Sequence, residues 1–256
     1  MADYLSHPAL SASDLCAIYN NPEKWKWKKD HPTVKDPSHF AVGSATHTLF
    51  TEPELFASEF VIMPIFKGKG MKAAKEAWLA VNPGKRILKT EESELAAGMV
   101  KKLKADPEIM RVMTGTHEVT YLWTDTESGL DLKARPDVEG TDGQWLGNLK
   151  TCADGHADPA EFSRDLTNFK YYVHSALYMD GAEIVLGKRP KYYVFVVVEK
   201  GIPYCTNVLT LNEESIEIGK GKYRDALKRY KHREANDDWK AYRPCSVGAK
   251  PWAFLD

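Results

Sequence analysis

Apolar and polar positions change rhythm several times along this chain. The first part is helical: SASDLCAIYNNPEKWKWKKD sets Leu15, Ile18 and Tyr19 on one face behind a Ser11 or Ser13 cap, and Asn21-Pro22 ends that helix before a second turn carrying Trp25. HFAVGSATHTLF predicts a helix whose small residues admit close neighbours, and Glu52-Pro53 restarts the chain toward a strand at FVIMP. FKGKGMKAAKEAW, with Gly68 and Gly70, predicts a mobile loop. Residues 91–113 are helical again, with acids in the first turn and lysines near the end as the helix dipole prefers, and Pro107 opens another helix.

From Glu118 the period falls to two. EVTYLWTDTESGLDLKARPDVEG predicts two strands joined around Glu127-Ser128-Gly129, and the turn from Gly140 to Gly143 leads into a third, QWLGNLKT, making a β-meander. A helix over DPAEFSRDLTNFKYYVHSALYMDGAEIVLG should stop near Gly181. KYYVFVVVEK is so uniformly apolar and β-branched that it predicts a central strand buried on both faces, and GIPYCTNVLTL adds another. NEESIEIGKGKYRDALKRYKHREAND is an amphipathic helix with Ile216, Leu227 and Tyr230 inward. This order predicts an α/β or α+β fold with a mixed sheet between helices. It is expected to be one domain over residues 1–256: a mainly helical part to 115, the meander, helix and core strands over 116–210, and a C-terminal helix and tail from 211.

Composition narrows the class. The chain has 256 residues, 43% hydrophobic and 28% charged, which excludes disordered, collagen-like and membrane classes. A net charge of −1 means that any nucleic-acid surface must come from segregated charges. Cys16, Cys152, Cys205 and Cys245 form no C-x-x-C pair, so neither a zinc ribbon nor a disulfide framework is expected. With no secretory pattern and no apolar run near the roughly 18 residues of a membrane span, a cytoplasmic protein with reduced thiols is the expectation.

The meander carries the chemistry. Asp137 ends one strand, and Asn148 and Lys150 share a face of the next, so three polar groups converge if the strands pair. An acid with a second oxygen ligand suits Mg²⁺, with Mn²⁺ as a substitute, and a neighbouring lysine can orient water or meet charge developing on phosphorus. Short patterns of this kind also arise as solvated surface. Here their context is strand, turn, strand, helix.

That arrangement resembles the PD-(D/E)xK nuclease superfamily, in which an acid after a proline and an acid-x-lysine on the next strand bind catalytic metal. Gly43-Ser44-Ala45-Thr46-His47 resembles the Gly-x-x-x-His signature of the RecB-like branch, which makes His47 a candidate metal ligand. His174 and Tyr178, one helical turn apart, stand where that branch has Gln-x-x-x-Tyr, with histidine replacing glutamine. Within the branch the chain is similar to the RecE-like, phage-type exonucleases from about Ser11 to the strand near Val198. The resemblance implies a restriction-endonuclease-like core with an N-terminal helical elaboration. It also implies a Mg²⁺-dependent exonuclease that degrades linear double-stranded DNA 5′ to 3′ and leaves a 3′ single strand for an annealing or recombinase protein, working as a homotetramer. The metal would be held by His47, Asp137, position 148 and the Leu149 carbonyl, with Lys150 placing the water. Glu118 resembles an acid near the site in this branch.

Asn148 departs from the family, which has aspartate or glutamate there. An amide offers one oxygen and no charge, so the activity of the chain as written is expected to be weakened. A trapping substitution, a homologue that has lost activity, and a site that tolerates an amide ligand are three explanations; the first fits best with every other element in place. Rival readings are a RecB-like nuclease of other polarity or single-strand preference, and an inactive DNA-binding homologue. By period, Lys133, Arg135 and Asp137 share a face. Arg135 would then contact phosphate or hold Glu118 or Asp137, with Thr151 beside it. Lys67, Lys69 and Lys72, and the helix-end group Lys101, Lys102 and Lys104, are candidate DNA contacts. Trp25 and Trp27 are expected in the core.

Overall fold

The computed structural model describes residues 2–32 and 41–248; His39-Phe40 at the head of the small-residue helix and the tail beyond residue 248 lie outside them. The N-terminal part runs α1 (Ala2–Ser6), β1 (Leu10–Ser11), α2 (Ala12–Asn20), α3 (Pro22–Asp30) and α4 (Ala41–Thr51). Ser11 caps α2 in a reciprocal pair with Asp14, and Asn21 caps α3 with Pro22 in its first turn. Next come α5 (Phe56–Glu59), β2 (Phe60–Ile62), α6 (Met71–Ala80), β3 (Arg86–Leu88), α7 (Thr90–Lys104) and α8 (Pro107–Val112). The second half contains β4 (Gly115–His117), β5 (Tyr121–Thr124), β6 (Asp131–Ala134), β7 (Val138–Gly140), β8 (Trp145–Cys152), α9 (Pro159–Asn168), α10 (Tyr171–Leu186), β9 (Tyr192–Glu199), β10 (Thr206–Thr210) and α11 (Glu213–Asn236).

The main sheet has five strands in the order β10-β9-β8-β7-β4, with β8 and β9 parallel and the other pairs antiparallel. Its two faces are both apolar, as expected where helices cover each side. Leu146, Cys152, Tyr193, Phe195 and Val197 point into a core with α2, α10 and α11. Leu149, Val194, Val196 and Val198 point the other way, against α7, α8 and Phe50 of α4. The mixed sheet between helices, and the buried β9, are as the hydrophobic pattern predicts.

Four details differ. The meander is divided: β6 pairs with β5 on one side and β1 on the other in a three-stranded sheet, while β7 and β8 belong to the main one. The chain changes sheets across Arg135-Pro136-Asp137, where proline withholds a ladder donor. Lys133, Arg135 and Asp137 therefore share no strand face. Lys133 instead donates to the carbonyls of Tyr4 and His7. The stretch after Gly70 is the helix α6 rather than a loop, so Lys72 and Lys75 are helical; its Ala, Lys and Glu residues favour that state. The region expected as one helix ending near Gly181 is two, and α10 continues to Leu186, because Gly181 is a packing position where any Cβ would strike Trp123. Trp25 is buried, but Trp27 is 56% exposed and stacks on His31.

Candidate active site

Strand register builds the site. His117 pairs with Val138, and Val138 with Gly147. One residue further along, Glu118, Asp137 and Asn148 therefore stand in a row, the first two beside the ends of β4 and β7 and the third within β8. The amide N–H of Glu118 donates to the Asp137 carbonyl at 3.3 Å, and that of Asp137 to the Gly147 carbonyl at 3.1 Å. Helix α4 lies over this row. A Cβ on Gly43 would sit 3.0 Å from Thr151 Oγ1, so glycine there lets the helix settle on β8. His47, one turn later, then reaches the acids: Nε2 is 3.1 Å from Asp137 Oδ2 and 3.3 Å from Glu118 Oε1.

Among the described residues these three form the one group of at least three His, Cys, Asp or Glu side chains able to hold a metal, with ligating atoms all within 4.8 Å of one another. Asp137 is buried, and its Oδ2 also accepts the Leu149 N–H at 2.6 Å while Oδ1 accepts Asn148 Nδ2 at 2.8 Å. Burial would raise its pKa, yet the His47 and Lys150 charges and the Leu149 amide outweigh this and hold it below the ordinary value. Glu118 is only 9% exposed, and burial and the Asp137 charge raise its pKa. Arg135 Nε fastens its Oε2 at 2.6 Å, while Oε1 has no hydrogen-bond partner. Glu118 also sits at φ +55, a left-handed conformation costing about 1–2 kcal/mol for a residue with a Cβ. Burial disfavours protonated His47, but the two carboxylates prevail and its pKa is raised. Two carboxylates, one with a buried oxygen free of hydrogen bonds, and one imidazole form a donor set suited to a hard divalent cation. The residues fit a divalent metal.

Residues 11–246 match the family model described as a PDDEXK-like domain of unknown function (DUF3799). The chain belongs to that family. No curated protein matches it by sequence. Its fold is similar to that of a protein from Eubacterium rectale named "Putative exonuclease", with a TM-score of 0.67 and 14% identity over 95% of this chain and 90% of that one. A phage related exonuclease from Haemophilus somnus 129PT aligns with a TM-score of 0.38 and 14% identity over 93% of this chain and 100% of that one, too loosely to add to the fold assignment. The PD-(D/E)xK fold implied by the motifs at Asp137, Lys150 and His47 is thus the fold of this PDDEXK-like domain, a class of nucleases that generally uses divalent metals.

The remaining predicted residues divide into two sets. Lys150 Nζ lies 5.3 Å over the Tyr171 ring, and its charge acts on Asp137, His47 and His174. Burial, with Lys150, pushes His174 down to about 4, so it is neutral at physiological pH. Tyr178 is hydrogen-bonded to Tyr4 and packs 6.3 Å from the His174 ring. Arg135 holds Glu118 through Nε and also lines the cleft above it, and Thr151 faces Gly43. A cleft of about 310 Å³ opens above the three ligands, lined also by Tyr4, Ser44, Glu52, Glu59 and Arg86. Lys67, Lys69 and Lys72 do not line it; Lys72 borders a separate groove with Phe66, Met71 and Lys75.

Two participants escape a sequence reading. Tyr193 donates its hydroxyl to Asn148 Oδ1, and Tyr4 joins the cleft from α1. Tyr193 lies in an apolar strand, where an aromatic is expected as core. Tyr4 lies far from every motif in sequence.

Proposed function

We propose that this chain is a divalent-cation-dependent exodeoxyribonuclease of RecE-like type, degrading linear double-stranded DNA 5′ to 3′. The 3′ single strand left behind would pass to an annealing or recombinase protein, and the working form would be a homotetramer. The observation that carries the nuclease reading is the meeting of His47, Glu118 and Asp137 under an open cleft, within electrostatic reach of Lys150.

Carboxylate oxygens suit Mg²⁺ or Mn²⁺. Such a cation supplies stabilisation of charge on the scissile phosphate and the departing oxygen. Lys150 orients the attacking water and faces the charge gathering on phosphorus. Neutral His174 and Tyr178 shape the wall behind Lys150. Lys67, Lys69 and Lys72 contact backbone phosphates, so binding is salt-dependent and indifferent to sequence.

Linear duplexes labelled at either the 5′ or the 3′ end, incubated with Mg²⁺, test this reading. Early release of the 5′ label, with circular duplex left intact, is expected. Early release of the 3′ label would assign the opposite polarity. No cleavage by the chain or by Asn148→Asp, with duplex still bound, would support the second reading that Asn148 favours, a DNA-binding protein without catalysis.

A further inference from the structure

We propose that Glu118 replaces the acid missing at position 148: it is the second carboxylate of the cation centre, while Asn148, braced by Tyr193, is a positioning residue that aims Asp137. The inference rests on the nuclease reading of the same site and says how the centre retains its charge.

Both ends of the Asn148 amide are occupied. Its Nδ2 donates to Asp137 Oδ1 at 2.8 Å, and its Oδ1 accepts the Tyr193 hydroxyl. The phenol has one proton to donate, and its bond to Oδ1 fixes which end of the amide it meets. The amide oxygen is thereby drawn to Tyr193 and the NH₂ to Asp137. A side chain that presents N–H to its neighbour has no oxygen turned toward a shared cation. Asp137 Oδ1 is pinned by this bond, while Oδ2 is left facing His47 Nε2 at 3.1 Å.

Glu118 has the opposite character. One oxygen is anchored by Arg135 and the other, buried and without a hydrogen-bond partner, lies 3.3 Å from the same imidazole nitrogen. A left-handed backbone and a bond to the Asp137 carbonyl hold it there. A buried carboxylate oxygen left unpaired is costly unless a ligand completes it. With Asn148 neutral, the centre still contains two carboxylates, one of them moved from β8 to the link between β4 and β5. On this arrangement the amide aims Asp137 while Glu118 supplies the second charge.

Calorimetric titration of the full chain with Mn²⁺ alone tests the exchange. Glu118→Gln should weaken binding by on the order of 10–100-fold, as expected at least for a lost metal-site partner. Asn148→Ala should weaken it several-fold less, and Glu118→Gln with Asn148→Asp should recover affinity to within about tenfold of the starting chain. Metal-free melting temperatures report whether each variant folds. Unchanged affinity in Glu118→Gln, a larger loss in Asn148→Ala, or a double variant no better than Glu118→Gln would overturn the proposal. DNA cleavage measured in parallel separates the two readings. Binding that follows Glu118 with no DNA cut by any form upholds the exchange and removes the nuclease reading, whereas cleavage with Mn²⁺ affinity indifferent to Glu118 removes only the exchange.

Discussion

Buried acids in two regions of this molecule are treated differently. At the seam between α10 and α11, Asp180 accepts the Tyr223 hydroxyl and meets Arg189 at 2.7 Å and Lys220 at 3.5 Å. Nearby Asp125 accepts the Ser128 N–H at 2.8 Å and Arg224 at 2.5 Å. Both carboxylates have cations and hydrogen-bond donors as partners. In the cleft, one imidazole and one arginine serve two acids, and Glu118 Oε1 meets the His47 ring at 3.3 Å without a hydrogen bond. A fully satisfied acid contributes to stability, whereas an unsatisfied one is kept for something that binds.

The contrast can be broken from either side. The largest effect is expected in the cleft: Lys150→Ala should cut duplex hydrolysis by on the order of 10²–10³-fold, the scale of losing one preorganised charge-stabilising group, with little change in melting temperature. Asp180→Ala should do the reverse, costing about 3 kcal/mol of stability in denaturant titration by leaving charges unpaired, with Mn²⁺ affinity intact. Third, Mn²⁺ at about 100 times its Kd should stabilise the chain by about 2.7 kcal/mol in thermal unfolding, and Asp137→Asn should abolish that gain. Fourth, Gly43→Ala places a methyl group 3.0 Å from Thr151 Oγ1 and should cost about 1 kcal/mol while displacing His47, read as a several-fold loss of Mn²⁺ affinity.

The smallest effect is a pH dependence at the seam. Burial opposes ionisation of Asp125, but Ser128 and Arg224 outweigh it and lower its pKa from the ordinary 3.8. The stability it contributes is therefore fully present above that value and lost as pH falls through the lower folded value. Asp125→Asn should be less stable at neutral pH and show a flatter acid limb. Equal slopes in both proteins would count against the ion pair with Arg224.

What could be read from sequence follows from how local each signal is. Ser11, Asn21-Pro22 and Pro107 mark helix ends through their own backbone chemistry, and those boundaries hold. The opposition of Asp137 and Asn148 needs only a turn between adjacent strands, so it too is visible in advance. The change of sheet at Pro136 is not, because a period of two persists whichever sheet a strand joins. Gly181 misleads because a packing glycine and a helix-ending glycine look alike until Trp123 is placed against it. The same limit hides how Glu118 is held. Its oxygen matters only once His47, 71 positions earlier in the numbering, has been brought beside it by α4 settling on Thr151. Among the described residues no helix is long and apolar enough to cross a membrane, and the four cysteines are free.

Anomalous diffraction from crystals soaked in Mn²⁺ tests the cation centre most directly. A peak bounded by His47 Nε2, Asp137 Oδ2 and Glu118 Oε1, with the Asn148 amide still turned toward Tyr193, is the predicted result. A peak bound through Asn148 Oδ1 without Glu118, or no peak in the cleft at saturating Mn²⁺, would contradict it.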